Sequence, residues 1–412
     1  MHSIGDYVNL GLVFIGIYVQ IFLLFTYLGW GRKASVVPEV HYSDEQLPTV
    51  GIIIPCWNEE KSVGRTFDSL FAANYPKDKL QIIFVDDGST DNTWQVVQKY
   101  ADHPQVHLYQ KENGGKYTAL NLGLEKATAA IVGCLDADST IEPDAIRQSA
   151  YRFLQDSEIM SVVPAMTVEN PQSLMQHIQK VEFESVIYLR ETFSFLGALF
   201  ITSGPLSLFR KEVFEKIGGY RFGFQGEDLE IAMRMQYHKM KIVFNRGTRV
   251  YTHGMKTWKT LLKQRVRWTY SFLMNAIEYR KMFFNPEYGH LGVFILPIGY
   301  LGNVAAIILI PFLIYNLLLG AWNLIQPIML GIYPVFSLPT WDPFFFSITA
   351  LSVLGAVALL LGFVSIFIGR SMLKQKSFSL DLLAYLLYPF LSMLWTTKAV
   401  WKTVAGHTVT WR

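Results

Sequence analysis

Two aspartates spaced i,i+2, Asp136 and Asp138, follow the apolar run Ile131–Leu135 and precede Ser139 and Thr140. In an extended segment that spacing puts both carboxylates on one side of the chain, where they repel each other. A divalent cation chelating a diphosphate resolves the repulsion, and Mg2+ or Mn2+ suits oxygen ligands. A solvent-exposed loop without a ligand accounts for the same residues. Asp86-Asp87-Gly88-Ser89 could accept hydrogen bonds from a nucleobase or ribose, or simply form an Asx-turn that caps the next helix. Asn113-Gly114-Gly115-Lys116 supplies two flexible glycines and a cation at a helix start, suited to a phosphate or sugar and equally to a plain turn. Glu227 and Asp228 open a helix, where acidic side chains ordinarily answer the helix dipole; a general base is the competing role. Gln264, Arg267 and Trp268 fall on one helical face and offer an amide, a phosphate-matching guanidinium and an aromatic platform for a sugar. Neither GxGxxG nor a P-loop is present, so dinucleotide and P-loop readings lack support.

These residues need a scaffold that brings them together. Thr49–Pro55 and Leu80–Val85 are short β-branched apolar runs, read as buried parallel strands. Val106–Tyr109 and Ile131–Leu135 are further strand candidates. Glu59–Phe71, residues 91–101 (with Asp91 as N-cap) and Lys116–Ala127 carry helical patterns. The alternation predicts an open α/β sheet covered by helices, with ligands beyond the C-terminal strand ends. Pro55–Glu59, Asp86–Asp91 and Asp136–Ser139 all fall there. Downstream, Asn170–Leu196 is an amphipathic stretch that suits a membrane face as well as packing on the sheet. Thr202–Phe209 reads as a tight turn entering a strand, and Lys256–Tyr279 as the helix that carries Gln264, Arg267 and Trp268.

The chain has 412 residues, 51% hydrophobic and 15% aromatic, with 17% charged against a usual roughly 25%. The deficit lies mainly at the two ends. Net charge is +3, too small to argue for a nucleic-acid partner. Cys56 and Cys134 read as buried thiols of a reducing compartment, and no Cys/His cluster has zinc spacing. Tyr7–Trp30 is an uncharged run of about 24 residues, enough to cross a hydrocarbon core of roughly 30 Å. Arg32 and Lys33 follow it, so the positive-inside bias places the N-terminus outside and the chain beyond residue 32 in the cytoplasm. Leu291–Leu319, Phe344–Ile368 and Leu380–Thr397 are three more apolar runs. Asn323–Pro339, interrupted by Pro327, Pro334 and Pro339, reads as a re-entrant or interfacial piece. Arg370, Lys374 and Lys376 make the loop before the last run cytoplasmic, and four spans put the tail outside, against which Lys398 and Lys402 argue.

Taken in order, these motifs resemble the membrane-embedded processive family 2 glycosyltransferases, which include hyaluronan, chitin, cellulose and poly-N-acetylglucosamine synthases. The resemblance runs from about Tyr7 to Lys402. It implies an α/β, GT-A nucleotide-diphospho-sugar transferase domain with a Rossmann-like, mostly parallel sheet, inserted between transmembrane helices. The implied division is a membrane helix over 1–33, a linker over 34–48, a cytoplasmic catalytic domain over 49–254, interface helices over 255–288, a membrane region over 289–403 and a tail over 404–412. By the same resemblance, Asp87 with Pro55, Glu59 and Lys116 would hold the uridine end of a UDP-sugar. Asp136 and Asp138 would hold Mg2+ or Mn2+ on the diphosphate, Asp138 the more directly. Asp228 would be the general base. Gln264, Arg267 and Trp268 match QxxRW, contacting the diphosphate and the acceptor sugar. Ser203-Gly204-Pro205 matches an acceptor-side loop, with Glu227 and Trp268 also on the acceptor. The expected protein is a multi-pass plasma-membrane enzyme that takes a UDP-sugar, leaning to UDP-N-acetylglucosamine, inverts its anomeric centre, and extends and exports a β-linked polysaccharide. Transfer of a single sugar to a lipid-linked acceptor is the alternative, and a transporter or structural membrane protein with an inactive domain is the reading from another class.

Overall fold

The computed structural model describes residues 4–34, 41–331, 350–375, 379 and 381–407. After helix α1 (Ile4–Ala34), the first half of the sheet region alternates strand and helix. Its elements are β1 (Val50–Cys56), α2 (Val63–Phe71), β2 (Leu80–Asp86), α3 (Thr93–Gln98), β3 (Val106–Gln110), α4 (Lys116–Lys126) and β4 (Ile131–Cys134). β1 is buried along its whole length because it lies between β2 and β4 with helices on both faces. Its register sets Ile52 beside Ile82 and Gly133, so β-branched side chains stack in the core. Pro55 lacks an N–H for a ladder, and it stands where β4 has already ended, paired only with Val85 of β2.

The second half departs from a mostly parallel sheet. It comprises β5 (Thr140–Ile141), α5 (Ala145–Gln155), β6 (Ile159–Val168), α6 (Leu174–Phe195), β7 (Leu208–Arg210), α7 (Lys211–Ile217), α8 (Glu227–Tyr237) and β8 (Lys241–Thr252). The order across the sheet is β3-β2-β1-β4-β7-β6-β8-β5. β7 runs antiparallel to both β4 and β6, and β5 antiparallel to β8. The sheet is therefore mixed. Its antiparallel members are two or three residues long, too short to show a period in sequence.

Of the two roles open to it, α6 packs on the sheet, and another side of it packs against later helices. A capping box of Ser173 and Gln176 starts it. Ile187 then packs into the sheet core, while Val181 meets Ile366 and Leu382 on the opposite side. The remaining helices are α9 (Trp258–Glu278), α10 (Leu296–Met329), α11 (Ala350–Met372), α12 (Asp381–Tyr385) and α13 (Tyr388–Val404). Among the described residues two helices are long and apolar enough to cross a membrane, Tyr7–Trp30 and Val353–Met372. The expected span Leu380–Thr397 is not one continuous helix. It is broken ahead of Pro389, and α13, at 17 residues, packs Trp395 and Ala399 against Val266 and Tyr270 of α9. The proposed re-entrant piece at Pro334 and Pro339, Phe344 at the start of the third run, Lys376 and the tail from residue 408 lie outside the described residues.

Arg370 was counted above as a loop cation. It is instead buried, with Nε donating to Glu184 Oε2 at 2.6 Å and Nη1 to Ser379 Oγ at 3.0 Å. Beside it, Gly369 lets α11 cross α6 at backbone contact, since a Cβ there would run into the Glu184 carbonyl. Gly369→Ala is accordingly expected to cost about 1–3 kcal/mol by overpacking. Thermal unfolding of the purified protein checks this, and an unchanged melting curve would show that the two helices part freely.

Candidate active site

The loops after β1 and β2 are tied to each other before they meet anything else. Asn58 N donates to Ser89 Oγ at 2.9 Å, Thr90 N to Asn58 Oδ1 at 2.7 Å, and Glu59 N to Thr93 Oγ1 at 2.8 Å. Asp91 accepts from Thr93 N at 3.0 Å and so caps α3 from one residue ahead of the N-cap position. Glu59 itself accepts from Ser62 Oγ. Burial and then the charges of Asp138, Asp136 and Asp91 push its carboxyl above the usual range, although the Ser62 bond opposes them. Asp86 and Asp87 are both buried. Asp87 accepts from Lys111 Nζ at 2.8 Å, Gly114 N at 3.0 Å and Gly115 N at 2.8 Å. It thereby shapes the turn that delivers Lys116, in which Gly115 adopts φ 94°, a conformation that favours glycine.

Lys116 is the hub. Its Nζ lies 2.6 Å from Asp136 Oδ1 and 3.1 Å from Glu227 Oε1, joining the β4 loop to the start of α8. Burial alone would lower its pKa, but Asp136 and Glu227 hold it well above the ordinary lysine value. The loop of Ser203, Gly204 and Pro205 closes over this pair. A Cβ on Gly204 would sit 3.0 Å from Asp136 Oδ2 and 3.3 Å from Lys116 Nζ, so only glycine passes here without displacement. Lys116, Thr202, Ser203, Gly204, Glu227 and Asp228 line one small enclosed space. The loop reaches it through a backbone bond from Leu206 N to the Cys134 carbonyl and then re-enters the sheet as β7 next to Pro205.

Asp138 is half-buried beyond Asp136. Burial, then the Asp136 charge, raises its carboxyl, with Ser139 Oγ donating to it at 3.1 Å. His253, at the end of β8, lies close enough to lower it somewhat, and contacts Arg65 Nη1 at 3.1 Å. Sequence reading passed over His253 because nothing near it in the chain bears on a carboxylate pair more than a hundred residues earlier. Among the described residues no group of three or more His, Cys, Asp or Glu side chains is built to hold a metal. Two acidic side chains plus donor phosphates is nevertheless a fitting set for Mg2+ or Mn2+, which keep open positions for substrate oxygens.

At the start of α8 the two acids diverge. Burial would raise Glu227, but Lys116 outweighs it and holds the carboxyl below its usual range. Asp228 is pushed up to about 6 by burial and by Glu227, against Lys116 and Arg267. Its Oδ1 accepts from Leu229 N at 2.9 Å, and its carbonyl from Thr202 Oγ1 at 2.6 Å. α8 is anchored from behind by a buried pair, Glu230 with Arg234 at 3.0 Å, to which Tyr279 of α9 donates at 2.7 Å.

α9 brings in the last group. Arg267 Nη1 donates to the Gln225 carbonyl at 2.9 Å, on a turn where Phe224 and Gln225 both have positive φ. Asn275 and Ser271 of the same helix hold the Gly223 carbonyl at 3.1 and 2.9 Å. The helix thus positions the turn that opens α8. Gln264 Oε1 is buried without a hydrogen-bond partner. Trp268 is 37% exposed, yet one face is covered by the Arg265 guanidinium 4.2 Å from the ring centre, leaving a single face open. Arg265, which looked like spacing between motif residues, is itself fixed by Glu182 of α6 at 2.5 Å. Cys56 and Cys134 are separate buried thiols.

Residues 51–218 match the model for Glycosyl transferase family 2. The poly-beta-1,6-N-acetyl-D-glucosamine synthase of Staphylococcus aureus (strain COL) is 27% identical over 258 residues, 62% of this chain and 62% of that protein. That of Staphylococcus epidermidis is 28% identical over 226 residues, 54% of each. The match thus spans less than two thirds of these relatives' length. Among solved structures, the mannosyltransferase PcManGT from Pyrobaculum calidifontis, in complex with GDP-Man and Mn2+, superposes with a TM-score of 0.60 at 19% identity, over 96% of this chain and 99% of that one. That likeness is one of fold, a GT-A-like nucleotide-sugar transferase fold with a curled mixed sheet beside two apolar helices. Residues 51–218 are thus similar to a family 2 glycosyltransferase domain, consistent with a UDP-sugar-dependent glycosyltransferase.

Proposed function

We propose that this chain is a membrane-associated inverting glycosyltransferase that uses a UDP-sugar, leaning to UDP-N-acetylglucosamine, to extend a β-linked glycan and pass it across the plasma membrane. The observation that carries the reading is the convergence of Lys116, Gly204, Glu227 and Asp228 on one small pocket, with Asp136 paired to Lys116 and the Arg267 charge acting on Asp228. Asp87 would serve the donor indirectly, by shaping the turn before Lys116, with Pro55 and Glu59 at the neighbouring strand end. Asp136 and Asp138 would hold Mg2+ or Mn2+, which when bound supplies positive charge for the leaving diphosphate. Lys116 and Arg267 add fixed cations to the same end of the site, and Gln264 a buried amide oxygen for an acceptor hydroxyl. Asp228 takes the proton from the attacking hydroxyl, and Ser203, Gly204, Pro205, Glu227 and the open face of Trp268 orient the acceptor. The two apolar helices and the basic residues Arg32 and Lys33 support a catalytic region on the cytoplasmic side.

Incubating the purified protein with a panel of UDP-sugars, with UDP release and product size as readouts, tests this. UDP release with one sugar and products many residues long is the expected result. Additions of a single residue only would replace export of a polymer by transfer to a lipid-linked acceptor. No release with any donor would overturn the enzyme reading.

A further inference from the structure

We propose that Arg190 of α6 is a positioning residue of the reaction, fixing the acceptor-side loop through Ser203 and keeping Asp228 in its ionised, proton-accepting form. The inference rests on the assignment of Asp228 as the base. It concerns a residue outside every sequence motif discussed above.

Arg190 lies in the C-terminal part of α6 (Leu174–Phe195), where periodicity marks only apolar contacts. Its Nη1 donates to Ser203 Oγ at 2.6 Å, and Ser203 is buried. The neighbouring Thr202 donates to the Asp228 carbonyl at 2.6 Å, while Ser207 Oγ donates to the Ser203 carbonyl at 2.7 Å. Consecutive residues of one loop are thus held to α6 on one side and to α8 on the other. Leu206, three residues beyond Ser203, has φ 59°, so the loop keeps its shape by tethering rather than by backbone preference.

The electrostatics point the same way. Among the described residues no carboxylate lies at ion-pair distance from Arg190, unlike the buried Arg234, Arg265 and Arg370. Burial lowers its pKa to about 10, still charged at neutral pH, and the one charge that opposes this is Asp228. A half-buried guanidinium without an ion pair is costly, so its position needs a compensating charge, and Asp228 supplies it through space. The charges facing Asp228 are then Glu227 from its own helix, Lys116 from α4, Arg267 from α9 and Arg190 from α6, with Cys134 of β4 and Tyr220 alongside as neutral groups. Lys116 is already shared between Asp136 and Glu227 and Arg267 is bonded to Gln225, while Arg190, bonded to Ser203, has no ion pair of its own among the described residues.

The test uses the full chain in detergent, with Arg190→Met, Arg190→Lys and Ser203→Ala compared by the pH dependence of kcat/KM for UDP release. Arg190→Met is expected to lose at least about tenfold in kcat and to move the acid limb upward by roughly half a unit or more, because one cation that favours ionised Asp228 is gone. Arg190→Lys should return the limb to the parent position while leaving kcat reduced, since it restores charge without the guanidinium's reach to Ser203. Ser203→Ala should raise the acceptor KM and leave the limb in place. An unmoved limb in a folded Arg190→Met protein overturns the proposal. If that variant does not fold, an Arg190→Lys protein with parent kcat and acceptor KM overturns it instead. An Asp228→Asn protein of undiminished rate would bring down the assignment of the base, a failure separate from that of Arg190.

Discussion

Asp228→Asn is expected to lower kcat by about 10²- to 10⁴-fold while the KM for the donor stays within a few-fold of the parent. The substitution is nearly isosteric, and an amide oxygen can still accept from Leu229 N, so that bond in the first turn of α8 is kept. What is lost is the ability to take a proton. The pH dependence follows from the environment of this carboxyl. With its pKa at about 6, Asp228 is mostly ionised at pH 7 and above, and half protonated near pH 6. The parent rate should therefore be flat above about pH 7 and fall roughly tenfold per unit below pH 6, a limb that Asp228→Asn should lack. Stability moves the other way. A carboxyl whose folded pKa is raised disfavours the fold once pH rises past its unfolded value, and the neutral amide removes that penalty. At pH 7.5 the variant should melt at the parent temperature or above it. A variant both inactive and less stable would indicate that Asp228 holds the loop rather than the proton.

The first half of the sheet was readable because it is built from long enough pieces. Ile52, Ile53 and Ile54 announce a central strand by composition, and the carboxylates at 86–87 and 136–138 mark where strands end. β5 escaped notice because two residues carry no period, and the antiparallel pairing of β7, whose entry the turn at Thr202–Phe209 marked, is imposed by partners far away in the chain. The site residues were visible one at a time, whereas their connections were not. Nothing in the sequence around Asp87 says that its oxygens meet Gly114 and Gly115, or that Lys116 bridges Asp136 to Glu227. Arg190 was hidden for a further reason: on an amphipathic helix a lone arginine reads as part of the solvated face. The membrane reading misjudged Leu380–Thr397 in the opposite direction. Apolar composition there serves the aromatic packing of Trp395, Tyr388 and Trp258 around α9 as much as any span.

Arg370→Ala should destabilise the protein by about 3–5 kcal/mol, lowering the melting temperature in detergent on the order of 5–10 °C. The guanidinium and the Glu184 carboxylate are each almost wholly buried and bonded at 2.6 Å, at the point where α11 crosses α6. Removing the cation strands Glu184, whose pKa burial already raises against the help of Arg370. As pH falls the stranded carboxyl can protonate, so the loss should shrink, whereas the parent should show no such recovery. Replacing both partners together, Glu184→Met with Arg370→Met, should restore most of the stability, because the desolvation cost disappears along with the attraction. That contrast separates a buried pair from a surface one, for which single and double variants would each lie within about 1 kcal/mol of the parent. The consequence for activity is specific. α6 carries Glu184 on the side of α11, Glu182 on the side of Arg265 in α9, and Arg190 on the side of Ser203. If α6 transmits the position of the membrane helices to the acceptor loop, Arg370→Ala should raise the acceptor KM more than the donor KM. Equal changes in both would assign the pair to stability alone.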